Sequence, residues 1–151
     1  MDINTCSLAA ENIIATLSRE KTIILATSAN NLVTTRSISH VNDGMAIYFQ
    51  TGGRYLKTRQ IKVNPNVAIH IDGYDIVGKA VLLGHPLDKD NDMFFKLFKD
   101  KHPSYAEKWS AHPEEVVIRV DIEMVKKWLY IDGKPYIAVW KDKCYSHSYD
   151  T

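Results

Sequence analysis

The sequence has few of the features that place a protein in a specialised class. It contains two cysteines in 151 residues. Cys6 and Cys144 lie near opposite ends without CxxC spacing, so neither a disulfide framework nor a zinc site is indicated. No run of about 18 apolar residues occurs, and the N-terminus lacks the basic and apolar regions of a signal peptide. We therefore expect a protein without a membrane segment, located in the reducing cytoplasm.

Charge of one sign is also scarce. The 19 basic and 18 acidic residues give a formal charge of +1, and like charges adjoin only in short pairs such as Lys126-Lys127. This balance argues against the basic surface of a general nucleic-acid-binding protein. The length suits a single domain over residues 1–151, large enough to fold without a disulfide or structural metal.

Hydrophobic periodicity predicts a mainly β protein of the α+β class. Alternating or short apolar runs predict strands over residues 22–28, 32–41, 45–51, 67–71, 76–83, 116–122, 127–131 and 135–140. Helical spacing covers residues 5–19, 54–63, 88–101 and 103–109. Asp43-Gly44 and Asp132-Gly133 are typical hairpin turns. Short strands with mostly antiparallel connections favour a small β-barrel with flanking helices, and Gly78 inside a strand indicates a bulge or a close backbone approach.

The residues around two adjacent glycines form the most informative segment. Thr51-Gly52-Gly53-Arg54-Tyr55-Leu56-Lys57-Thr58 joins a strand to a helix, where unpaired N–H groups, the helix dipole and Lys57 all favour an anion. A nucleotide P-loop is excluded, because Leu56 stands where that motif needs glycine. The alternative is a surface turn with solvated cations.

Arg36 adds weight to the anion hypothesis. It lies within a predicted strand whose neighbouring side chains are small or apolar. A guanidinium in a sheet usually has a carboxylate or phosphate partner, and this strand contains no acidic residue to serve it.

Other constellations are weaker. Asp88, Asp90 and Asp92 copy the start of a calcium loop, but Met93 replaces its glycine. The six histidines show no metal-ligand spacing, and no catalytic triad or carboxylate pair is evident, so we expect no metal. The three tryptophans and five of eight tyrosines follow residue 100. Such late aromatics suit a core or, as a cluster, an interface or planar-ligand wall.

Together these residues resemble the pyridoxamine-5′-phosphate-oxidase-like, FMN-binding split-barrel superfamily. The resemblance is closest from Ile23 to Ile71. Its elements are the LATS of the first strand, an Arg in the second, a Thr ending the third, a Lys six residues later, and Asn-Pro-x-Val-Ala before the fourth. Gly78-Lys79-Ala80 is similar to the Gly-x-Ala of single-domain members.

The resemblance implies a Greek-key split barrel that forms a homodimer, with FMN in clefts at the subunit interface. It implies that Arg36 and Lys57 contact the FMN phosphate, that Gln50 and Thr51 line the ribityl and phosphate end, and that Ser37 and Ile38 run beside the flavin ring. Trp109 and Trp140 of the partner subunit are candidates for the opposite wall. The two histidines on neighbouring strands, His40 and His70, are noted because related split barrels can bind haem.

The sequence also departs from the family pattern. Tyr55-Leu56 replaces the Ser-Arg that precedes the phosphate Lys in full oxidases, so Arg54 is the candidate to supply the missing cation. The tail after Trp140 lacks the Arg-x-His of true pyridoxamine-phosphate oxidases. We therefore expect an FMN-dependent oxidoreductase with a different small-molecule substrate. The alternatives are a non-catalytic flavin- or haem-binding module, a deazaflavin in place of FMN, or a dimer with an empty cleft.

Overall fold

The computed structural model describes residues 3–143, which form a split β-barrel with helices packed on its outside. This confirms the predicted fold class. Nine strands are present in the described residues: β1 (Asn4–Ser7), β2 (Thr22–Ala29), β3 (Leu32–Ser39), β4 (Val41–Asp43), β5 (Ala46–Gly52), β6 (Asn66–Ile71), β7 (Tyr74–Leu82), β8 (Glu115–Ile131) and β9 (Lys134–Lys141). The same residues form four α-helices: α1 (Ala10–Arg19), α2 (Leu56–Val63), α3 (Asp92–Lys101) and α4 (Pro103–Trp109).

The N-terminal element differs from the prediction. Residues 5–19 were expected to be one helix, but the chain first forms β1 and enters α1 only at Ala10. The reason is tertiary pairing: β1 hydrogen-bonds in parallel with β9, from Asn4 opposite Tyr136 to Ser7 opposite Val139. Local periodicity carries no information about a partner strand that lies on the order of 130 residues further along the chain. Cys144 lies outside the described residues.

Strand β8 creates the split in the barrel. The two strands predicted over 116–122 and 127–131 are one strand of 17 residues. Along one edge it pairs with β7, from Ile118 to Lys127. A strand has only two edges, so β5 and β9 share the other one: β5 pairs with Glu115–Asp121 and β9 with Met124–Ile131. The sheet therefore branches at the middle of β8.

Side chains point alternately inward and outward along the strands, and the inward ones fill the barrel interior. The main core contains one inward face from most strands, including Leu25 of β2, Phe49 of β5, Ile69 of β6 and Val120 of β8. A second, smaller cluster lies under the helices, where Phe94 and Phe98 pack against residues of other elements that include Tyr48, Ala106 and Val117. On the same helix as these phenylalanines, Met93 and Leu97 remain substantially exposed.

The close backbone approach predicted at Gly78 is confirmed, between β7 and β8. Register shifts by one residue between Val77 and Gly78, so Glu123 of β8 is the extra, bulged residue. A Cβ on Gly78 would overlap the carbonyl oxygen of Asp121 and press on Val120. Only glycine allows β7 and β8 to approach this closely.

None of the helices in residues 3–143 is long and apolar enough to cross a membrane.

Substituting Gly78 tests this packing. We expect Gly78→Ala to lower the free energy of unfolding by about 1–3 kcal/mol, because the new methyl group must displace backbone at the bulge. Lys79→Ala, at the next and exposed position, is the control and should change stability by less than about 0.5 kcal/mol. Urea denaturation measures both, and equal stabilities would contradict the close approach.

Candidate functional site

Arg36 lies on β3 with its guanidinium held by neutral oxygens. It donates to the Thr27 hydroxyl at 2.8 Å, to the Leu25 carbonyl at 3.3 Å and to the Thr34 hydroxyl. Burial lowers the pKa of Arg36, yet a guanidinium stays protonated in proteins. Within residues 3–143 no acidic side chain forms an ion pair with it. Its charge is therefore oriented but not neutralised.

Gln60 of α2 completes the support of Arg36. Its buried amide oxygen accepts from the Thr27 hydroxyl at 2.6 Å and the Thr34 hydroxyl at 2.8 Å. Its amide nitrogen donates to the Leu32 carbonyl at 3.1 Å. Each threonine thus accepts from Arg36 and donates to Gln60, and this network fixes α2 against β2 and β3. Sequence reasoning missed all three polar residues, because their pairing depends on the sheet register.

The glycine loop is built to turn the chain from β5 into α2. The Thr58 hydroxyl donates to the Gly52 carbonyl at 2.8 Å, and the Gly53 amide donates to the Glu114 carbonyl at 2.8 Å. A Cβ on Gly53 would lie 3.1 Å from that carbonyl oxygen, which explains the glycine. Tyr55 precedes the helix, and no side chain among residues 3–143 caps it. The first-turn amides of α2 are therefore available to an external acceptor.

Lys57 projects from the first turn of α2 and is half-buried. Its ammonium lies 4.8 Å from the centre of the Tyr55 ring. Burial lowers the pKa of Lys57, the charge of Arg36 lowers it further, and the carboxylate of Glu115 opposes both. Lys57 forms no ion pair within 4.0 Å in the described part of the chain. The structure thus brings together the two predicted phosphate cations, at a mutual repulsion that a bound anion would relieve.

Arg54 is placed differently from these two cations. Its side chain is 85% exposed and its guanidinium lies 2.8 Å from the Glu114 carboxylate. An exposed pair of this kind is screened by solvent and is easily exchanged. Arg54 is thus engaged with a carboxylate in the structure, at the outer side of the glycine loop.

Gln50 and Thr51 are both buried on β5. The Gln50 amide nitrogen donates to Glu115 Oε2 at 3.0 Å, and its amide oxygen accepts from the Ser110 hydroxyl at 2.9 Å. Both ends of the Gln50 amide are therefore occupied. Glu115 is a site residue that sequence reasoning missed, because its contact with Gln50 depends on the register between β5 and β8.

The remaining predicted residues lie in different environments. Ser37 is exposed, whereas Ile38 belongs to the main core. Trp109 ends α4 with 38% of its surface exposed and Lys108 against its ring. Trp140 packs on the main core of its own chain.

A groove of about 370 Å³ lies across β2, β3, β6 and β7. This volume falls within the range of small-ligand sites, about 300–1,000 Å³. Its lining includes small or apolar side chains, together with Lys79 and Glu123. Thr27 also borders it, but the Thr27 hydroxyl accepts from Arg36 on the core-facing side of β2. The side chains of Ala26 and Ser28, which alternate with Thr27 along the strand, point to the other face of the sheet. The groove and Arg36 therefore lie on opposite faces of β2.

The two noted histidines have unlike surroundings. His40 is fully buried, its Nε2 lies 2.8 Å from the Leu17 carbonyl, and its Nδ1 has no partner among the described residues. Burial, aided by Lys101, lowers the pKa of His40 to about 4. His70 is half-exposed and pairs with Asp75 at 2.8 Å. No group of three or more metal-ligating residues occurs between residues 3 and 143.

Comparison with known proteins agrees with this architecture. A family model for pyridoxamine 5′-phosphate oxidase matches residues 9–129. The chain belongs to the pyridoxamine 5′-phosphate oxidase family. No curated protein matches the chain.

Three solved structures show the family fold at low sequence identity. A Listeria innocua protein described as a candidate pyridoxamine 5′-phosphate oxidase is 21% identical, with a TM-score of 0.63 over 78% of this chain and 96% of that one. An FAD-binding protein from Mesorhizobium loti is 17% identical, with a TM-score of 0.63 over 78% and 92%. A haem storage protein from Vibrio cholerae is 14% identical, with a TM-score of 0.64 over 75% and 89%.

Removing the Gln60 amide tests the network beneath Arg36. We expect Gln60→Leu to lower the free energy of unfolding by about 1–3 kcal/mol, because it leaves buried hydrogen-bonding groups without partners. The exposed neighbour Arg59→Ala is the control and should have little effect. Chemical denaturation measures the free energy of unfolding of both variants. An unchanged value for Gln60→Leu would show that the network contributes no stability.

His40 predicts a specific acid sensitivity. Its pKa is depressed in the folded state, so its stabilising effect is present above the unfolded value near 6.5 and is lost as pH falls towards about 4. We expect protonation of His40 to lower the free energy of unfolding by up to about 3 kcal/mol as pH falls through that window. His40→Gln should flatten the fall in unfolding free energy, and the exposed His70→Gln should not. Identical pH profiles for wild type and His40→Gln would contradict the assignment.

Proposed function

We propose that the protein binds FMN through the Arg36–Lys57 cation pair and acts as a flavin-dependent oxidoreductase on a small molecule. The observation that carries the proposal is the pair itself: two half-buried cations, held by neutral groups and lacking a carboxylate ion pair in the described chain. A dianionic phosphate matches such a site, since it accepts several charge-assisted hydrogen bonds. The uncapped first turn of α2 supplies further donors.

The residues present fit a flavin phosphate in a specific way. Arg36 is already oriented by Thr27 and Thr34, so it binds an anion without first losing side-chain freedom. Lys57 supplies a second charge from the helix side. Bound FMN would supply the electron transfer, while the protein binds, orients and shields it.

We further propose that the working unit is a homodimer. One small barrel offers too little concave surface to enclose a flavin. Around the site, β3 lies at one end of the strand order. Exposed apolar side chains lie there (Leu32 and Val33), on α2 (Leu56 and Val63) and at Tyr55, just before that helix. Leu32, Leu56 and Val63 line one shallow depression. Contiguous apolar surface of this kind is typical of an interface, and a second copy would close the cleft, with Trp109 and Trp140 as candidates for its wall.

The second candidate is a flavin- or haem-binding module without turnover. It is favoured by the similar structural match to an FAD-binding protein and to a haem storage protein. Steady consumption of NAD(P)H with an added electron acceptor would support the oxidoreductase. A Soret band on haem addition, with no flavin binding, would support the haem module.

Substitutions at the cation pair test the proposal. We expect Arg36→Ala and Lys57→Ala each to weaken FMN binding by about 1.5–3 kcal/mol, the range for hydrogen bonds to charged groups. Lys62→Ala, an exposed cation on the same helix, should leave affinity unchanged and controls for net charge. Flavin fluorescence quenching measures the dissociation constants. Unchanged affinity in both site variants would show that the phosphate binds elsewhere.

A further inference from the structure

One buried acid lies beside the proposed anion site. Glu115 begins β8 directly opposite Gly52, the residue that opens the glycine loop. Glu115 is only 8% exposed. One carboxylate oxygen accepts from Gln50, which is itself held by Ser110. This chain of hydrogen bonds fixes the carboxyl group in place next to a site for negative charge.

Several charged or titratable groups face Glu115 from the elements around it. Lys57 comes from α2, His85 from the segment after β7, His112 from the segment after α4, and Tyr105 from α4. Burial raises the pKa of Glu115, against the opposing effects of Gln50, the histidines and Lys57. Glu115 in turn helps to raise the pKa of Tyr105 to about 12, although burial of that ring is the larger cause. No ion pair within 4.0 Å satisfies Glu115 in residues 3–143.

The position of this acid has a consequence for ligand binding. In the free protein, an ionised Glu115 partly balances the charge of Lys57. When a dianion binds between Lys57 and Arg36, the same carboxylate faces a like charge in a partly desolvated site. Like charges in such a site raise the proton affinity of one of the two groups. The two cations stabilise the charged phosphate, whereas Glu115 has no ion pair within 4.0 Å in residues 3–143, so the proton binds to Glu115. An acceptor already bonded to Gln50 can take up a proton without moving.

We propose that Glu115 is a specificity-determining residue of the anion site, and that a phosphate dianion binds there together with one proton taken up by Glu115. Glu115 would therefore disfavour dianions at alkaline pH and favour them as pH falls. This inference rests on the proposed FMN function. The proposed function concerns the cations that promote phosphate binding, whereas Glu115 is the acid that limits phosphate binding.

The experiment compares FMN affinity in wild type and Glu115→Gln from about pH 5 to about pH 8. Glutamine keeps the hydrogen bond with Gln50 and imitates the protonated acid. We expect the two affinities to converge towards the acid end. At the alkaline end we expect Glu115→Gln to bind FMN about tenfold more tightly, the change that corresponds to a pKa difference of one unit. Comparing the two proteins cancels the titration of the FMN phosphate itself, whose second pKa is about 6.

Proton uptake gives a second readout that needs no variant. Calorimetry of FMN binding to wild type, in two buffers of different ionisation enthalpy, yields the number of protons taken up. It should exceed the number for Glu115→Gln by up to one. Glu107→Gln, which removes the same charge from an exposed position of α4, is the matched control and should behave as wild type.

The outcomes separate this inference from the proposed function. If wild type binds no FMN at any pH, both ideas fail. If it binds FMN but Glu115→Gln shows the same pH profile and proton uptake, the inference alone is wrong. Weaker FMN binding by a folded Glu115→Gln also overturns it, since Glu115 would then be a favourable ligand contact. Thermal melting of each variant confirms that it is folded.

Discussion

The site depends on one constraint: the Arg36 guanidinium is held by neutral hydrogen-bonding groups, and the same groups tie it to the helix that carries Lys57. Arg36 donates to threonine hydroxyls, those hydroxyls donate to Gln60, and Gln60 belongs to the helix that also carries Lys57. The network therefore fixes both the guanidinium and the helix that presents the ammonium. Its geometry orders the cations in advance, so a bound anion gains their attraction without the cost of arranging them.

The rest of the fold serves this arrangement. Strand β8 pairs with three strands and thereby divides the barrel, and its first residue, Glu115, lies across from the glycine loop. The bulge at Gly78 lets β7 approach β8 closely. The cation pair and the buried acid come from separate segments, which meet only because the sheet register is fixed.

Much of the fold follows from local sequence patterns, and the polar site follows only in part. Alternating strands and Asp-Gly turns located most of the sheet, because period-two burial is a local property. The parallel pairing of β1 is not a local property, and for that reason residues 5–9 were assigned to a helix. Arg36 and Lys57 were identified from an unmatched charge and from the spacing of a known family. Gln60 and Glu115 were missed, since a glutamine on a helix and an acid at a strand end acquire their roles from partners far away in the chain.

Recognition of a phosphorylated flavin is the central claim, and the phosphate group itself tests it most directly. Titration of wild-type protein with FMN and with riboflavin, which differ only in the phosphate, isolates its contribution to affinity. Two charge-assisted contacts predict that FMN binds at least about 100-fold more tightly than riboflavin. Equal affinities for the two flavins would contradict the account, because they would show that the Arg36–Lys57 pair does not receive the phosphate.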